Sequence, residues 1–235
     1  SNRYIGDIIV LMKSVFKYAV KTYCIYNPLE GVSLPRKKTS DIRLLDKKEQ
    51  LCLEEYVSKI HNSTTLGITL AMTTGIRIGE LCALQWKDID LEKRILTVSK
   101  TVQRIQLHEA DRKTKLIITE PKSESSKRII PIPEAVVAFL KEMRENDEDF
   151  VVSGTSRVIE PRTMQYRFAK ILKNVNLPSV HFHALRHMFA SNCIRLGFDI
   201  KALSEILGHS SVEITLNRYV HSSFEQKTEY MNRIT

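Results

Sequence analysis

Apolar residues recur at helical spacing along most of this chain. In residues 4–26 they form one face of a predicted helix, made of Ile8, Leu11, Val15, Tyr18 and Ala19. Pro28 sets the end of this helix, because proline cannot continue a helix and restricts the residue before it. The same periodicity predicts further helices over residues 46–60, 64–74, 77–86, 134–145, 162–175, 183–196, 199–207, 211–220 and 223–233.

The apolar period shortens to about two residues in the middle of the chain. This alternation predicts three strands, over residues 94–105, 115–122 and 127–133, joined by polar turns. Residues 106–114 are polar and predict an extended, exposed hairpin. We therefore expect a mixed fold that is mainly α, with a small three-stranded antiparallel sheet.

Residues 34–41, "LPRKKTSD", are polar and basic and include a proline, which predicts a linker. A single long helix cannot bury its own apolar stripe. We therefore expect residues 1–33 to be the remnant of an N-terminal domain, unless this helix packs only on the main body of the protein. We assign residues 42–221 to one main domain and the polar residues 222–235 to a C-terminal tail.

The charge balance adds a candidate partner to this picture. The chain has 36 Lys and Arg against 27 Asp and Glu, a formal net charge of +9, with 43% hydrophobic residues. Such a composition is typical of a globular protein, and the basic surplus favours a polyanionic partner, most often nucleic acid. A basic enzyme with no such partner remains the alternative on charge alone.

The cysteines predict neither a disulfide framework nor a zinc cluster. Cys24, Cys52, Cys82 and Cys193 lie far apart with no C-x-x-C pair, which favours buried thiols in a reducing cytosol. No apolar run approaches the ~18 residues that span a membrane, and no signal peptide opens the chain. We expect a cytoplasmic protein with no membrane partner.

The segment "TTGIRIGELCALQW" (73–86) contains the first candidate chemistry. Gly75 can take the left-handed conformation that ends one helix, and Arg77 opens the next. Arg77 and Glu80 stand at i and i+3, so they share a helix face and Glu80 can orient the guanidinium. A pair of this kind is, on its own, most often a surface salt bridge.

The segment "HFHALRHMFA" (181–190) places a second arginine between histidines. His183, Arg186 and His187 share one helix face, and either imidazole can also be a buried structural histidine. Zinc is disfavoured, because "HALRH" lacks the glutamate of H-E-x-x-H and Arg186 would place a cation beside the metal. The opposite face predicts the core stripe Leu185, Phe189, Cys193 and Leu196.

The segment "LGHSSVEITLNRYVH" (207–221) completes the set. Gly208 ends a helix, His209 lies in the turn that follows, and Tyr219 lies on the next helix. A tyrosine between Arg218 and Val220 is most often a packing residue, but its position after "LGH" favours a chemical role.

The ordered pattern T-G-x-R-x-x-E-L, a Lys in a β-turn, H-x-L-R-H, L-G-H and a Tyr resembles the tyrosine recombinase (phage integrase) family. It is most similar to the integrases of conjugative transposons. The resemblance covers about residues 42–221, which implies a catalytic domain, and the N-terminal helix resembles the last helix of that family's core-binding domain. Met188 departs from the pattern, because the family usually has a small Thr there, but it is not a catalytic position.

The resemblance implies a DNA-cleaving site of six residues, one of which is the nucleophile Tyr219. It implies that Arg77 and Arg186 bind the scissile phosphate, that His183 is the general base and that His209 donates to a phosphoryl oxygen. Lys122 would protonate the leaving 5′-oxygen, with Lys127 as its rival, and Glu80 and His187 would support the site. These roles agree with the chemistry of the side chains, since arginine forks bind phosphate oxygens and a tyrosine phenol must lose its proton. The product would be a 3′-phosphotyrosyl intermediate, formed without cofactor, metal ion or ATP.

The resemblance also implies partners. These are double-stranded DNA attachment sites, other protomers in a tetrameric synaptic complex that the tail would couple, and a directionality factor. Two alternatives stay open: strand relaxation like that of type IB topoisomerases, which use the same six residues, and a catalytically silent DNA-binding regulator.

Overall fold

The computed structural model describes residues 2–35, 43–107, 114–120, 126–219 and 231–232, with the backbone alone for residue 3 and residues 217–219. The chain divides into two compact units, Ser1–Ile42 and Arg43–Thr235. Across the described residues, every helix is too short or too polar to span a bilayer.

The first unit is built on one long helix, α1 (Asn2–Tyr23). The segment after it folds back along the helix, and the Lys13 ammonium donates to the carbonyl of Val32. The predicted apolar stripe is solvent-exposed, with Leu11 at 66% and Tyr18 at 66%. An exposed stripe of this kind is typical of a helix that packs on a further partner.

The second unit contains the remaining described helices. They are α2 (Lys47–Lys59), α3 (Ser63–Thr74), α4 (Ile78–Ala83), α5 (Glu134–Met143), α6 (Pro161–Asn174), α7 (His183–Arg195), α8 (Ile200–Leu207) and α9 (Val212–Tyr219). The helix predicted over residues 77–86 ends earlier, at Ala83, and Trp86–Asp88 form a separate 3₁₀ turn. The helix predicted over residues 223–233 lies outside the described residues, apart from 231–232.

The helix α3 lies at the centre of this unit. It contacts α2, α4, α5, α6 and α7, and Leu66, Ile68 and Leu70 on its different faces are all 0% exposed. Gly67 allows this close packing, because a Cβ there would lie 2.7 Å from the Val152 Cγ1 atom. The helix begins at the Asn62 cap, whose side chain accepts from the Thr64 and Thr65 N–H groups.

The described strands form two small antiparallel sheets. The strands are β1 (Ile89–Asp90), β2 (Ile95–Val98), β3 (Thr101–Gln106), β4 (Thr114–Thr119) and β5 (Arg128–Pro131). One sheet has the order β1-β2-β5, with Leu96 opposite Ile130, and the other is the hairpin β3-β4, with Val102 opposite Ile118. The predicted fold class, mainly helical with a small antiparallel sheet, is confirmed.

The detailed strand prediction was wrong about which strands form the three-stranded sheet. That sheet contains β1, which the sequence did not predict, and β4 pairs with β3 in the two-stranded sheet. The single strand expected over residues 94–105 breaks between β2 and β3, which belong to different sheets. Val98 and Val102 are both buried on either side of the break, so inward positions keep the same parity through Ser99 and Lys100. A period of two therefore cannot reveal a bend that spans two residues.

The turn between α3 and α4 is closely packed around Gly75. Gly75 has a left-handed backbone, with φ of 64°, and its N–H donates to the Ala71 carbonyl to end α3. A Cβ at this position would lie 2.5 Å from Phe189 Cδ1 and 2.8 Å from Leu207 Cδ2. Both the conformation and the space therefore require glycine.

Replacing Gly75 by alanine tests this constraint, with Gly197 as the matched control. Gly197 also has a left-handed backbone, with φ of 81°, but no described atom lies within 4 Å of a Cβ added there. We expect Gly197→Ala to lower the free energy of unfolding by about 1–2 kcal/mol, the backbone cost alone. Gly75→Ala adds overpacking to that cost, and the total is about 2–5 kcal/mol.

The measurement is denaturant unfolding followed by the fluorescence of Trp86, the single tryptophan of the sequence, which is 2% exposed. Equal losses for the two variants would contradict the close packing around Gly75.

Candidate active site

A cavity of about 270 Å³ brings together residues from four separate segments of the second unit. It is lined by Arg77, Ser126, His183, Arg186, Gly208, His209, Ser210 and Ile214. Four of the six side chains predicted to carry chemistry therefore line one cavity, although they are far apart in the sequence.

Arg77 is held from two sides. It caps the start of α4, where its Nη1 lies 2.8 Å from Glu80 Oε1 and its backbone N–H donates to Glu80 Oε2 at 3.0 Å. Its Nη2 donates to the Gly208 carbonyl at 2.6 Å. The side chain is 34% exposed, so a guanidinium of fixed orientation faces the cavity. The i, i+3 pairing that the sequence predicts is thus present.

The Glu80 carboxylate is shared between two arginines. Arg128 donates from Nη2 to Glu80 Oε2 at 2.8 Å and from Nη1 to Glu80 Oε1 at 3.1 Å, and the Glu80 side chain is 3% exposed. Burial alone would raise the pKa of this carboxyl, but the hydrogen bonds and charge of Arg128, with the charge of Arg77, lower it below its usual value. Glu80 is therefore ionised at neutral pH.

Arg128 lies beside the site, and the sequence motifs did not predict its contact with Glu80. Its partner Glu80 stands far away in the chain, so no local spacing connects them. The strand pattern did contain a signal: Arg128 shares strand parity with Ile130 and Ile132, which are 1% and 4% exposed, whereas Ile129 is 60% exposed. An arginine on the inward face of a strand requires an acceptor.

The helix α7 presents Arg186 to the cavity. Arg186 is 2% exposed, and it donates from Nη1 to the Gly75 carbonyl and from Nη2 to the Leu207 carbonyl, each at 2.7 Å. The rings of His183 and His187 meet edge to face, with centroids 4.9 Å apart. His187 is itself buried, so it lies behind the residues that line the cavity.

The prediction of a separate core stripe on α7 was wrong for one residue. Leu196 is 71% exposed, because the helix ends at Arg195 and the chain turns at Gly197. Arg186 and Met188 are buried as well as Leu185. The helix is therefore enclosed on most sides, and periodicity loses its meaning for such a helix.

His209 lies in the turn between α8 and α9. Gly208 has a left-handed backbone, with φ of 63°, and ends α8 as the sequence predicts. The Nδ1 atom of His209 lies 2.8 Å from the Thr215 hydroxyl, and Thr215 is buried. This contact orients the imidazole from the first turns of α9.

Two of the predicted residues lie partly or wholly outside the described part of the chain. Tyr219 is the last residue of α9, and its side chain lies outside the described part of the chain. Lys122 lies wholly outside it. Its rival Lys127 contacts Glu120 at 2.8 Å. Ser126 lines the cavity, so the end of the β4–β5 connection reaches the site.

The cysteines differ from the expectation of four buried thiols. Cys24 and Cys52 are exposed, and Cys82 and Cys193 are buried. Burial raises the pKa of Cys82 to about 12 and that of Cys193 to about 11, so these two thiols are protonated at neutral pH and poor nucleophiles. Among the described residues, no group of three or more His, Cys, Asp or Glu could hold a metal ion.

The geometry fits an anion with several oxygen atoms. Two guanidinium groups of fixed orientation and two imidazoles line the cavity, and planar guanidinium forks bind phosphate oxygens in pairs. An imidazole has two ring nitrogens, which can act as hydrogen-bond donor, acceptor, general acid or general base. The cavity can therefore offset charge on a phosphate and move protons beside it.

Comparison with known proteins gives the family. The model of the phage integrase family matches residues 43–226. A tyrosine recombinase XerC-like protein of Caldanaerobacter subterraneus subsp. tengcongensis is 31% identical over 97% of this chain and 64% of its own length. The transposase of transposon Tn916 from Enterococcus faecalis is 26% identical over 95% of this chain and 59% of its own length. The chain thus spans less than two thirds of these curated relatives.

Solved structures agree with this result. The Tn1549 transposon integrase in complex with transposon right end DNA superposes with a TM-score of 0.79 at 25% identity, covering 100% of this chain and 80% of that one. The same integrase in complex with a circular intermediate DNA gives a TM-score of 0.76. The resemblance that the sequence motifs indicate is therefore confirmed, and the chain belongs to the phage integrase (tyrosine recombinase) family, with integrases of transposons among its relatives.

Proposed function

We propose that this chain contains the catalytic domain of a site-specific DNA recombinase that cleaves and rejoins strands through a 3′-phosphotyrosyl intermediate. The observation that carries the proposal is the convergence of Arg77, His183, Arg186 and His209 on one cavity. Relatives that are named as a transposase and an integrase, the latter solved with transposon DNA, support this activity.

The arginines are suited to the scissile phosphate. During attack the nonbridging oxygens of a phosphodiester gain charge, and preorganised cations stabilise that charge more than they stabilise the ground state. Arg77 and Arg186 keep their orientation through backbone carbonyls of Gly208, Gly75 and Leu207. Their guanidinium groups would therefore meet the phosphate with little rearrangement.

The position of Tyr219 suits a nucleophile. Thr215, which contacts His209, stands one helical turn before Tyr219 on α9. Residues at i and i+4 share a helix face, so the Tyr219 position lies on the same face of α9 as Thr215. In this proposal His183 accepts the phenolic proton, His209 donates to a phosphoryl oxygen, and Tyr219 forms a covalent bond to phosphorus as the 5′-oxygen leaves.

The leaving 5′-oxygen takes its proton from Lys122 in this proposal. Ser126, four positions after Lys122 in the sequence, lines the cavity, and this observation supports the assignment. The ammonium group of Lys127 contacts Glu120 on the surface, and Lys127 stays the rival acid that the third prediction tests.

We assign the remaining regions by the same proposal. Residues 1–33 would be the C-terminal part of a core-binding domain, since the apolar stripe of α1 is exposed, residues 34–41 a linker, residues 42–221 the catalytic domain and residues 222–235 a tail. The partners would be duplex attachment sites, other protomers in a tetrameric synaptic complex, and a directionality factor. The formal charge of +9 supports a DNA partner.

The central test is covalent attachment to DNA. On a suicide substrate that traps the cleaved state, we expect the wild-type chain to form a covalent protein–DNA complex and Tyr219→Phe to form none, with nearly unchanged affinity, because only the nucleophilic oxygen is lost. Tyr166→Phe is the control, since Tyr166 is 73% exposed on α6, and it should cleave like the wild type.

A covalent complex formed by Tyr219→Phe would show that another residue, such as Tyr230, attacks. No complex with the wild type would favour a silent DNA-binding regulator. Relaxation of supercoils without strand exchange between paired sites would favour a topoisomerase.

The second prediction concerns salt and metal ions. Because lysines and arginines displace counterions from DNA phosphates, the DNA affinity should fall steeply with salt, by about 10³-fold or more between 50 and 200 mM if six or more phosphates are contacted. The rate of covalent-complex formation should be the same in EDTA, since in this proposal protein cations stabilise the phosphate charge. Loss of cleavage in EDTA that a divalent ion restores would contradict the mechanism.

The third prediction separates the roles of Lys122 and the arginines. A 5′-oxygen leaving group depends on a proton donor, whereas a bridging 5′-sulfur leaves as a thiolate whose acid has a pKa of about 8.5 and needs little help. Lys122→Ala should be nearly inactive on ordinary DNA and recover on the 5′-sulfur substrate. Arg77→Ala and Arg186→Ala should not recover, because the nonbridging oxygens are unchanged.

The measurement is covalent-complex yield against time on both substrates. Rescue of Lys127→Ala instead of Lys122→Ala would assign the acid to Lys127, and equal rescue of lysine and arginine variants would contradict separate roles.

A further inference from the structure

Three arginines bind three consecutive carbonyl groups at the C-terminal end of α8. Arg128 Nε donates to Ile206 at 2.6 Å, Arg186 Nη2 donates to Leu207 at 2.7 Å, and Arg77 Nη2 donates to Gly208 at 2.6 Å. The last carbonyls of a helix lack partners within the helix and form the negative end of its dipole. The guanidinium groups therefore satisfy acceptors that the helix itself leaves open.

Arg128 differs from the other two arginines in its surroundings. Its side chain is only 6% exposed, and it is not among the described residues that line the cavity around Arg77 and Arg186. Its N–H groups are directed to the Ile206 carbonyl, both Glu80 oxygens and the Ser126 carbonyl. Arg128 thus contacts three structures that border the site without facing the phosphate position itself.

We infer that Arg128 is a positioning residue for phosphoryl transfer, an inference that rests on the proposed function. Through Glu80 it fixes the guanidinium of Arg77, and through the Ile206 carbonyl it fixes the end of α8, from which His209 follows. Arg128 thereby sets the distance between the Arg77 guanidinium and the His209 imidazole, and so the geometry in which both contact one phosphate.

The contacts require an arginine. Only a planar fork can bind both oxygens of Glu80 and, with its third nitrogen, a carbonyl on α8 at the same time. A lysine would preserve the charge but offers one nitrogen. The Glu80 side chain is 3% exposed, so its carboxylate would then need more of its hydrogen bonds from Arg77. These hydrogen bonds would compete with the contact from Arg77 to the Gly208 carbonyl.

The test compares Arg128→Lys with Arg104→Lys. Arg104 also binds a carboxylate with two nitrogens, at 2.7 and 2.9 Å from Glu160, but it lies on β3 outside the cavity lining. We expect Arg128→Lys to keep the cooperative unfolding reported by Trp86 and nearly the wild-type DNA affinity. Its single-turnover rate of covalent-complex formation should fall about 10²-fold, the effect of misplacing a reacting group by about 1 Å. Arg104→Lys should cleave at the wild-type rate.

The 5′-sulfur substrate distinguishes the route by which Arg128 acts. Because the inference assigns its effect to Arg77 and His209, Arg128→Lys should stay slow on this substrate, unlike Lys122→Ala. Full recovery would overturn the inference, since it would assign the effect to the turn that carries Lys122. A wild-type cleavage rate in Arg128→Lys would also overturn it.

A second variant covers the case in which Arg128→Lys does not fold. In the double variant Arg128→Gln with Glu80→Gln, both charges of the buried Arg128–Glu80 pair are removed together and the amides can still hydrogen-bond. Arg77 loses its carboxylate partner in this variant, but its side chain is 34% exposed and it keeps the contact to the Gly208 carbonyl. The inference predicts that this variant binds DNA, cleaves slowly and is not rescued by sulfur, and wild-type cleavage would overturn it. Absence of a covalent complex with the wild-type chain would instead refute the proposed function.

Discussion

The buried carboxylate of Glu80 is the charge on which the arrangement of the site depends. An ionised carboxylate removed from water is destabilising unless it is paired and fully hydrogen-bonded, and Glu80 meets this demand through Arg77 and Arg128. Each arginine has further N–H groups, and these bind the end of α8. Satisfying one anion therefore connects α4, β5 and α8, and the cavity forms where they meet.

Much of this architecture follows from local sequence rules. Gly75 and Gly208 end their helices, as the sequence predicts, and both have left-handed backbone. Asp46 caps α2 in a reciprocal contact with Glu49, three residues away. The i, i+3 spacing of Arg77 and Glu80 predicted their contact. These features could be predicted because each depends on residues within about one helical turn of each other.

The features that could not be predicted from the sequence depend on residues far away in the chain. Arg128 meets Glu80 across many residues, and the split between β2 and β3 depends on which strand each one pairs with. Tertiary pairing decides these cases, and a periodicity contains no information about pairing partners.

The three arginines at the end of α8 also have a consequence for the entropy of DNA binding. Fixing a long, flexible arginine side chain costs about 2 kcal/mol of conformational entropy. An arginine that is mobile on a protein surface loses this freedom when it binds a phosphate, which weakens the complex. Because Arg77 and Arg186 are held by backbone carbonyls, their ordering is a cost of folding the protein. Binding a phosphate then does not have to offset this ordering cost of the two side chains.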